Sequence, residues 1–113
     1  MWASKDNGYD INWNNAKRYC ESYKDGGHSD WRMPTINELA SIYDKSKNNR
    51  YGYHVSPLIG ISESCLWSSE LRGSKAARFD FHIGSHHWAR KLLNKFSRIL
   101  PVRGRLNVSY KGN

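Results

Sequence analysis

Long hydrophobic runs are missing from this chain. No stretch of about 18 apolar residues occurs, so no ordinary membrane-spanning helix can be read from it, and no insertion into a membrane is expected. The start lacks the basic-then-apolar order of a secretory leader. Cysteine is scarce as well: Cys20 and Cys65 are the only two, without CxxC spacing, which excludes a disulfide framework. They read as buried free thiols, with a single disulfide as the alternative. Internal repeats and low-complexity tracts are absent, which removes solenoids from consideration. Carboxylates are nearly absent from the last third, where Asp80 stands alone among many cations.

What remains fits one globular domain over residues 1–113. The 113 residues, 38% hydrophobic and 25% charged, suffice for a single core and not for two. Aromatics make up 13%, with five tryptophans, so the core is expected to be built on large rings. The opening "MWASKDNG" already places a core-like residue at Trp2, as a domain cut from a longer protein would.

Periodicity assigns the elements. Trp13, Ala16, Tyr19, Cys20 and Tyr23 share a helical face, and Asp25, Gly26 and Gly27 stop that helix. In "GGHSDWRMPTINEL", Thr35 and Glu38 form a capping box behind Pro34 and start a second helix, from Ile36 to Asp44, with Leu39, Ile42 and Tyr43 inward. Trp31 belongs to the core and Arg32 pairs with a carboxylate or caps carbonyls, so this distinctive stretch reads as a folding corner. Residues 45–64 hold no sustained period and read as a long irregular loop. Alternation then takes over: "CLWSSEL" and "ARFDFHI" read as strands, the latter with Ala77, Phe79, Phe81 and Ile83 inward and Arg78, Asp80 and His82 outward. "RGSKA" and "GSH" read as turns, and "RILPVRG" as a last strand, at an edge or bulged at Pro101. Two helices followed by an antiparallel meander make an α+β domain.

The ordered motifs "WASKDNG", "NWNNAKRYC", "GGHSDWRMPTINEL", "LWSSE", "ARFDFHIG" and "LPVRG" resemble the Legionella collagen-like protein C-terminal domain family, a bacterial group. The resemblance implies a C-type lectin-like fold, shared with formylglycine-generating enzymes: two helices packed on a twisted antiparallel sheet with a long irregular loop. It also implies a displayed or secreted parent protein and an association with sulfated glycosaminoglycans. The family commonly has a cysteine before the final "VR", able to pair with the one ending the first helix. Pro101 stands there in this chain, which leaves Cys20 with Cys65 or with no partner.

Charge is the strongest functional signal. Arg72, Lys75, Arg78, Arg90, Lys91, Lys95, Arg98, Arg103 and Arg105 crowd the last third, while the first 71 residues are nearly balanced, so the net +8 is concentrated there. A field of that sign attracts polyanions. Arginine grips sulfate, phosphate or carboxylate with paired hydrogen bonds, and an aromatic ring can stack on a sugar. Together with the resemblance, this makes a sulfated or otherwise anionic polysaccharide the expected partner. Arg90, Lys91, Lys95 and Arg98 are the preferred contacts, and Arg72, Lys75 and Arg78 the secondary ones. His86, His87 and Trp88 fall in the same segment, and protonation of the histidines below about pH 6.5 would strengthen binding if they line the patch.

Other classes rank lower. Nucleic acid asks for the same cations, but no helix-turn-helix, zinc-finger or RNA-recognition signature is present. His82, His86 and His87 would suit zinc only on a helix, whereas the pattern there is strand and turn. The Glu-Pro-Asn and Gln-Pro-Asp tripeptides of calcium-dependent lectins are missing, and the 45–64 loop has no carboxylate before Glu63. No cofactor or metal is therefore expected. Neither cysteine has an evident activating base, and nothing in the spacing selects Asp80 with Glu70 as an acid–base pair, so no enzyme is expected. The 45–64 loop, with Tyr51, Tyr53 and His54, offers a protein-binding alternative.

Overall fold

The computed structural model describes residues 1–104, so Arg105 of the basic segment lies outside the described residues. Two helices and six strands follow one another as α1 (Trp13–Ser22), β1 (Trp31–Arg32), α2 (Ile36–Ile42), β2 (Cys65–Arg72), β3 (Lys75–Asp80), β4 (Ser85–Arg90), β5 (Ser97–Arg98) and β6 (Val102–Arg103). The class is α+β, as the sequence pattern predicts.

Helix α1 begins where the Asn12 side chain accepts the Asn15 amide, and it buries Trp13, Ala16 and Cys20. It ends at Ser22, earlier than the glycines. Gly26 and Gly27 instead shape the 3-10 turn that follows, both at positive φ. Helix α2 starts from the predicted capping box: Thr35 Oγ1 accepts the Glu38 amide and Glu38 Oε1 accepts the Thr35 amide. It stops at Ile42, with Tyr43 as its extended cap, and buries Leu39.

The main sheet has the order β4-β3-β2-β5, and a second sheet pairs β1 with β6. The expected meander holds for β2, β3 and β4, but β5 runs parallel to β2. "RILPVRG" is therefore not one strand. It divides around Ile99, Leu100 and Pro101 into β5 and β6, which serve different sheets. The Pro101 carbonyl accepts the Ala3 amide at 2.9 Å, part of an antiparallel bridge between Trp2 and Val102.

The main sheet is covered on both faces. Leu66, Phe79 and Phe81 pack with Trp31, Leu39 and Leu100 in one cluster, while Trp67, Ala76 and Ala89 pack with Trp13, Cys20 and Ile99 in the other. The buried indole N–H groups are satisfied: Trp13 donates to the Ser68 carbonyl and Trp67 to that of Ile11, each at 2.8 Å. Trp2 is only half-buried, bridging to Val102. Ile83, expected inward, lies beyond the end of β3 in a turn and is 63% exposed.

Residues 45–64 are irregular, as predicted, yet firmly tied. Buried Asn49 donates to the carbonyls of Ile59 and Ile61 and accepts the amides of Tyr51 and Tyr53. Buried Asp6 accepts the Ser62 amide at 2.7 Å and the Ser62 hydroxyl.

Candidate functional site

The register of the sheet gathers part of the basic segment into a row. Arg72 pairs with Lys75 across the β2–β3 turn, and Lys75 pairs with Arg90 of β4, so three cations stand side by side at one end of the sheet. Directly opposed residues share a face, with Cβ atoms about 5 Å apart. On that face Trp88 pairs with Ala77 and His86 with Phe79. The Arg72 guanidinium lies 4.3 Å from the centre of the Trp88 ring, so its side chain reaches from β2 across to β4. Exposed His86 meets Trp88 edge-on at 6.3 Å.

Lys91, just past the end of β4, leaves the row: its ammonium lies 5.3 Å from the centre of the Trp13 ring, on the α1 side of the sheet, opposite the face of Arg90. Lys95 is exposed but belongs to the β4–β5 loop, not to the sheet face. Among the described residues none of Arg72, Lys75, Arg90, Lys91 or Lys95 forms an ion pair. Their charge is left to attract something else.

Two expected contacts are engaged elsewhere. Arg78 points to the opposite face and is buried, lying over the Trp67 ring and donating to His87 Nε2, the Lys95 carbonyl and Ser97 Oγ. The outward assignment fails because that face of β3 is roofed by the α1 cluster instead of water. Arg98 is mostly covered as well. It pairs with Asp10 at 3.1 Å and donates to Ser62 Oγ, tying the N-terminal segment and the long loop to β5. Arg72 and Lys75, ranked second from sequence, are better placed than either.

The three histidines of "HIGSHHW" go to three places. His82 stacks on His54, His86 meets Trp88, and His87 accepts from Arg78. His87 does not behave as a proton-gathering surface group: burial and the adjacent Arg78 guanidinium hold its pKa below the usual imidazole range. Of the pair expected to gain charge on acidification, only His86 faces solvent freely. Cys20 and Cys65 are free and buried, not bonded to each other. Burial pushes the Cys20 thiol up to about 12 and raises that of Cys65, despite Arg78 nearby.

In the 45–64 loop, Tyr51 is exposed, while Tyr53 and His54 pack inward, His54 against Tyr43. Sequence reasoning passed over one other feature. Leu92 and Leu93, between the lysines of the β4–β5 loop, and Phe96, just after the second, are exposed. The signal was the interleaving in "KLLNKF", which neither strand nor helix periodicity explains.

Fold and surface together define a small α+β domain with a cationic sheet face. The chain matches the Lcl C-terminal domain family over residues 1–103 and belongs to that bacterial family. No curated protein matches it.

Proposed function

We propose that this chain is a non-enzymatic, C-type lectin-like binding module for sulfated or otherwise anionic glycans. The observation behind this reading is the in-register row of Arg72, Lys75 and Arg90, which has no carboxylate partner among the described residues. An arginine poised over Trp88 and without an ion pair has its N–H groups available for the paired hydrogen bonds that a sulfate or carboxylate accepts. Neighbouring cations on a rigid sheet suit a ligand with repeated charges. Both thiols are held protonated by burial, in keeping with a binding role in place of thiol chemistry. By analogy with the family, the parent protein is displayed or secreted.

The test is retention on heparin against retention on a cation exchanger of matched charge density. The wild-type domain is expected to leave heparin at clearly higher salt. Arg72→Glu with Lys75→Glu should remove that excess, and Arg90→Glu most of it, while a distant reversal at exposed Lys47 should leave it. Equal elution from both resins would refute the reading. Displacement by DNA at lower charge concentration than by heparin would replace glycan with nucleic acid, since salt sensitivity is common to both polymers.

A further inference from the structure

The loop from Lys91 to Phe96 presents apolar side chains to water from a backbone that is fixed at both ends. Leu92 is 79% exposed, Phe96 60% and Leu93 37%. At one end, the Lys91 amide donates to the Ser74 carbonyl and its own carbonyl accepts the Trp13 amide at 3.0 Å. At the other, Arg78 donates to the Lys95 carbonyl, the Phe96 amide donates to Asp10, and the Phe96 carbonyl accepts the Cys65 amide. The outward apolar groups are thus a fixed feature, not the product of a slack loop.

Phe96 adds a second observation. Its φ is +57°, which among the described residues no other non-glycine shares in sign. A left-handed backbone is unfavourable for an aromatic residue, and glycine would adopt it freely. Here the strained conformation accompanies a ring left mostly in solvent. Burial offers little to offset the strain.

The surroundings indicate what would cover the tip. Arg90, Lys91 and Lys95 flank it with no ion pair among the described residues, and Asp10, the carboxylate at its base, is taken by Arg98. A second copy meeting this surface about a two-fold axis would bring these cations against themselves. An apolar tip ringed by lysine and arginine instead complements the boundary of an anionic bilayer, where apolar side chains enter the acyl edge and ammonium groups remain among the phosphates.

We infer that the Lys91–Phe96 loop docks the domain peripherally on anionic lipid surfaces, seating Leu92, Leu93 and Phe96 in the headgroup boundary. Such docking needs no spanning segment, and no helix among the described residues is long and apolar enough to cross a membrane. The apolar anchors lie outside the row of cations, and Arg90 alone borders both surfaces, so the two activities are told apart by substituting the apolar residues.

Co-sedimentation with phosphatidylcholine vesicles, with and without phosphatidylglycerol, tests it. The domain should bind the phosphatidylglycerol vesicles. Leu92→Ser with Phe96→Ser, which keeps every cation, should weaken that binding by roughly tenfold or more, given the apolar area removed, and leave heparin retention unchanged. Phe96→Gly guards against misfolding: glycine relieves the backbone, so the thermal midpoint should hold or rise while vesicle binding falls. No binding by the wild type, or equal binding by the serine variant, would overturn the inference. So would a concentration-dependent dimer, abolished by the serine variant, in a protein that ignores vesicles.

Discussion

His87 of β4 offers an imidazole lone pair to a buried guanidinium, with Arg78 Nε and Nη2 lying 3.2 and 2.7 Å from its Nε2. Protonation would end that acceptance and set two cations together, His86 adding to the repulsion and Asp80 opposing it. The folded protein therefore binds this proton less readily than the unfolded chain, whose imidazole titrates near 6.5. The sign follows from linkage: stability is full above about pH 6.5 and declines as pH falls toward the depressed native value. His87→Gln keeps an acceptor without the titration, so chemical denaturation between pH 7 and 5 should show a flatter profile than the wild type. Parallel profiles would place the pH dependence elsewhere. Gly84 is constrained differently: at φ +80° its Cβ would come within 2.5 Å of Tyr43 Cζ, and Tyr43 is itself set against Phe79 and Phe81. Gly84→Ala should cost about 2 kcal/mol, through both strain and the displaced ring, read as a lower denaturant midpoint.

At the start of α2, Glu38 completes the cap with Thr35 and takes two hydrogen bonds, at 2.8 and 2.7 Å, from Arg32. The Arg32 guanidinium, more than the backbone amide, holds the Glu38 carboxyl below the usual carboxylate range. Glu38→Gln should cost about 2 kcal/mol and flatten the acid limb of stability, which in the wild type falls below about pH 4.5 because the unfolded chain's carboxyl takes up its proton there while the folded one does so only at lower pH. An unchanged acid limb would assign that loss to other carboxylates. This corner was legible in the sequence because its parts are contiguous: Thr35 and Glu38 need only helical geometry to meet. The β2–β3–β4 hairpins were legible for the same reason. The pairing of β1 with β6 was not, since Trp31 and Arg103 are brought opposite each other only by the finished fold. Nor was the side taken by Arg78. Alternation tells which residues share a face, but it identifies the wet face only when a sheet has one, and here Leu66 and Trp67, adjacent in β2, are both fully buried.

Over the whole molecule, the cations of the last third divide between two duties that composition cannot separate. Arg78, Arg98 and Arg103 join separate segments of the chain, through Ser97, Asp10 and Asp30, while Arg72, Lys75 and Arg90 are held in a row with no carboxylate partner among the described residues. The row needs the sheet to be fixed, and the first eight residues help fix it. Ala3 donates to the Pro101 carbonyl, Asp6 to that of Gly60 and Asn7 to that of Ile99, while the Asn7 side chain accepts the Ile99 amide in return. Asp6 also holds the long loop through Ser62. Removing residues 1–8 takes away these bonds and the buried Ala3 together, leaving polar groups of the loop and of the β5–β6 connection without partners. The truncated chain is expected to keep its hairpins as fluctuating structure but to lose the cooperative melt and the near-ultraviolet dichroism of its packed tryptophans. On heparin it should then elute at the salt that frees it from the matched cation exchanger, because its charge is almost unaltered while the arrangement of that charge is lost. A sharp melt in the truncated chain would show that the strands position the cations without this clasp, and excess heparin retention without a melt would show that charge density alone accounts for binding.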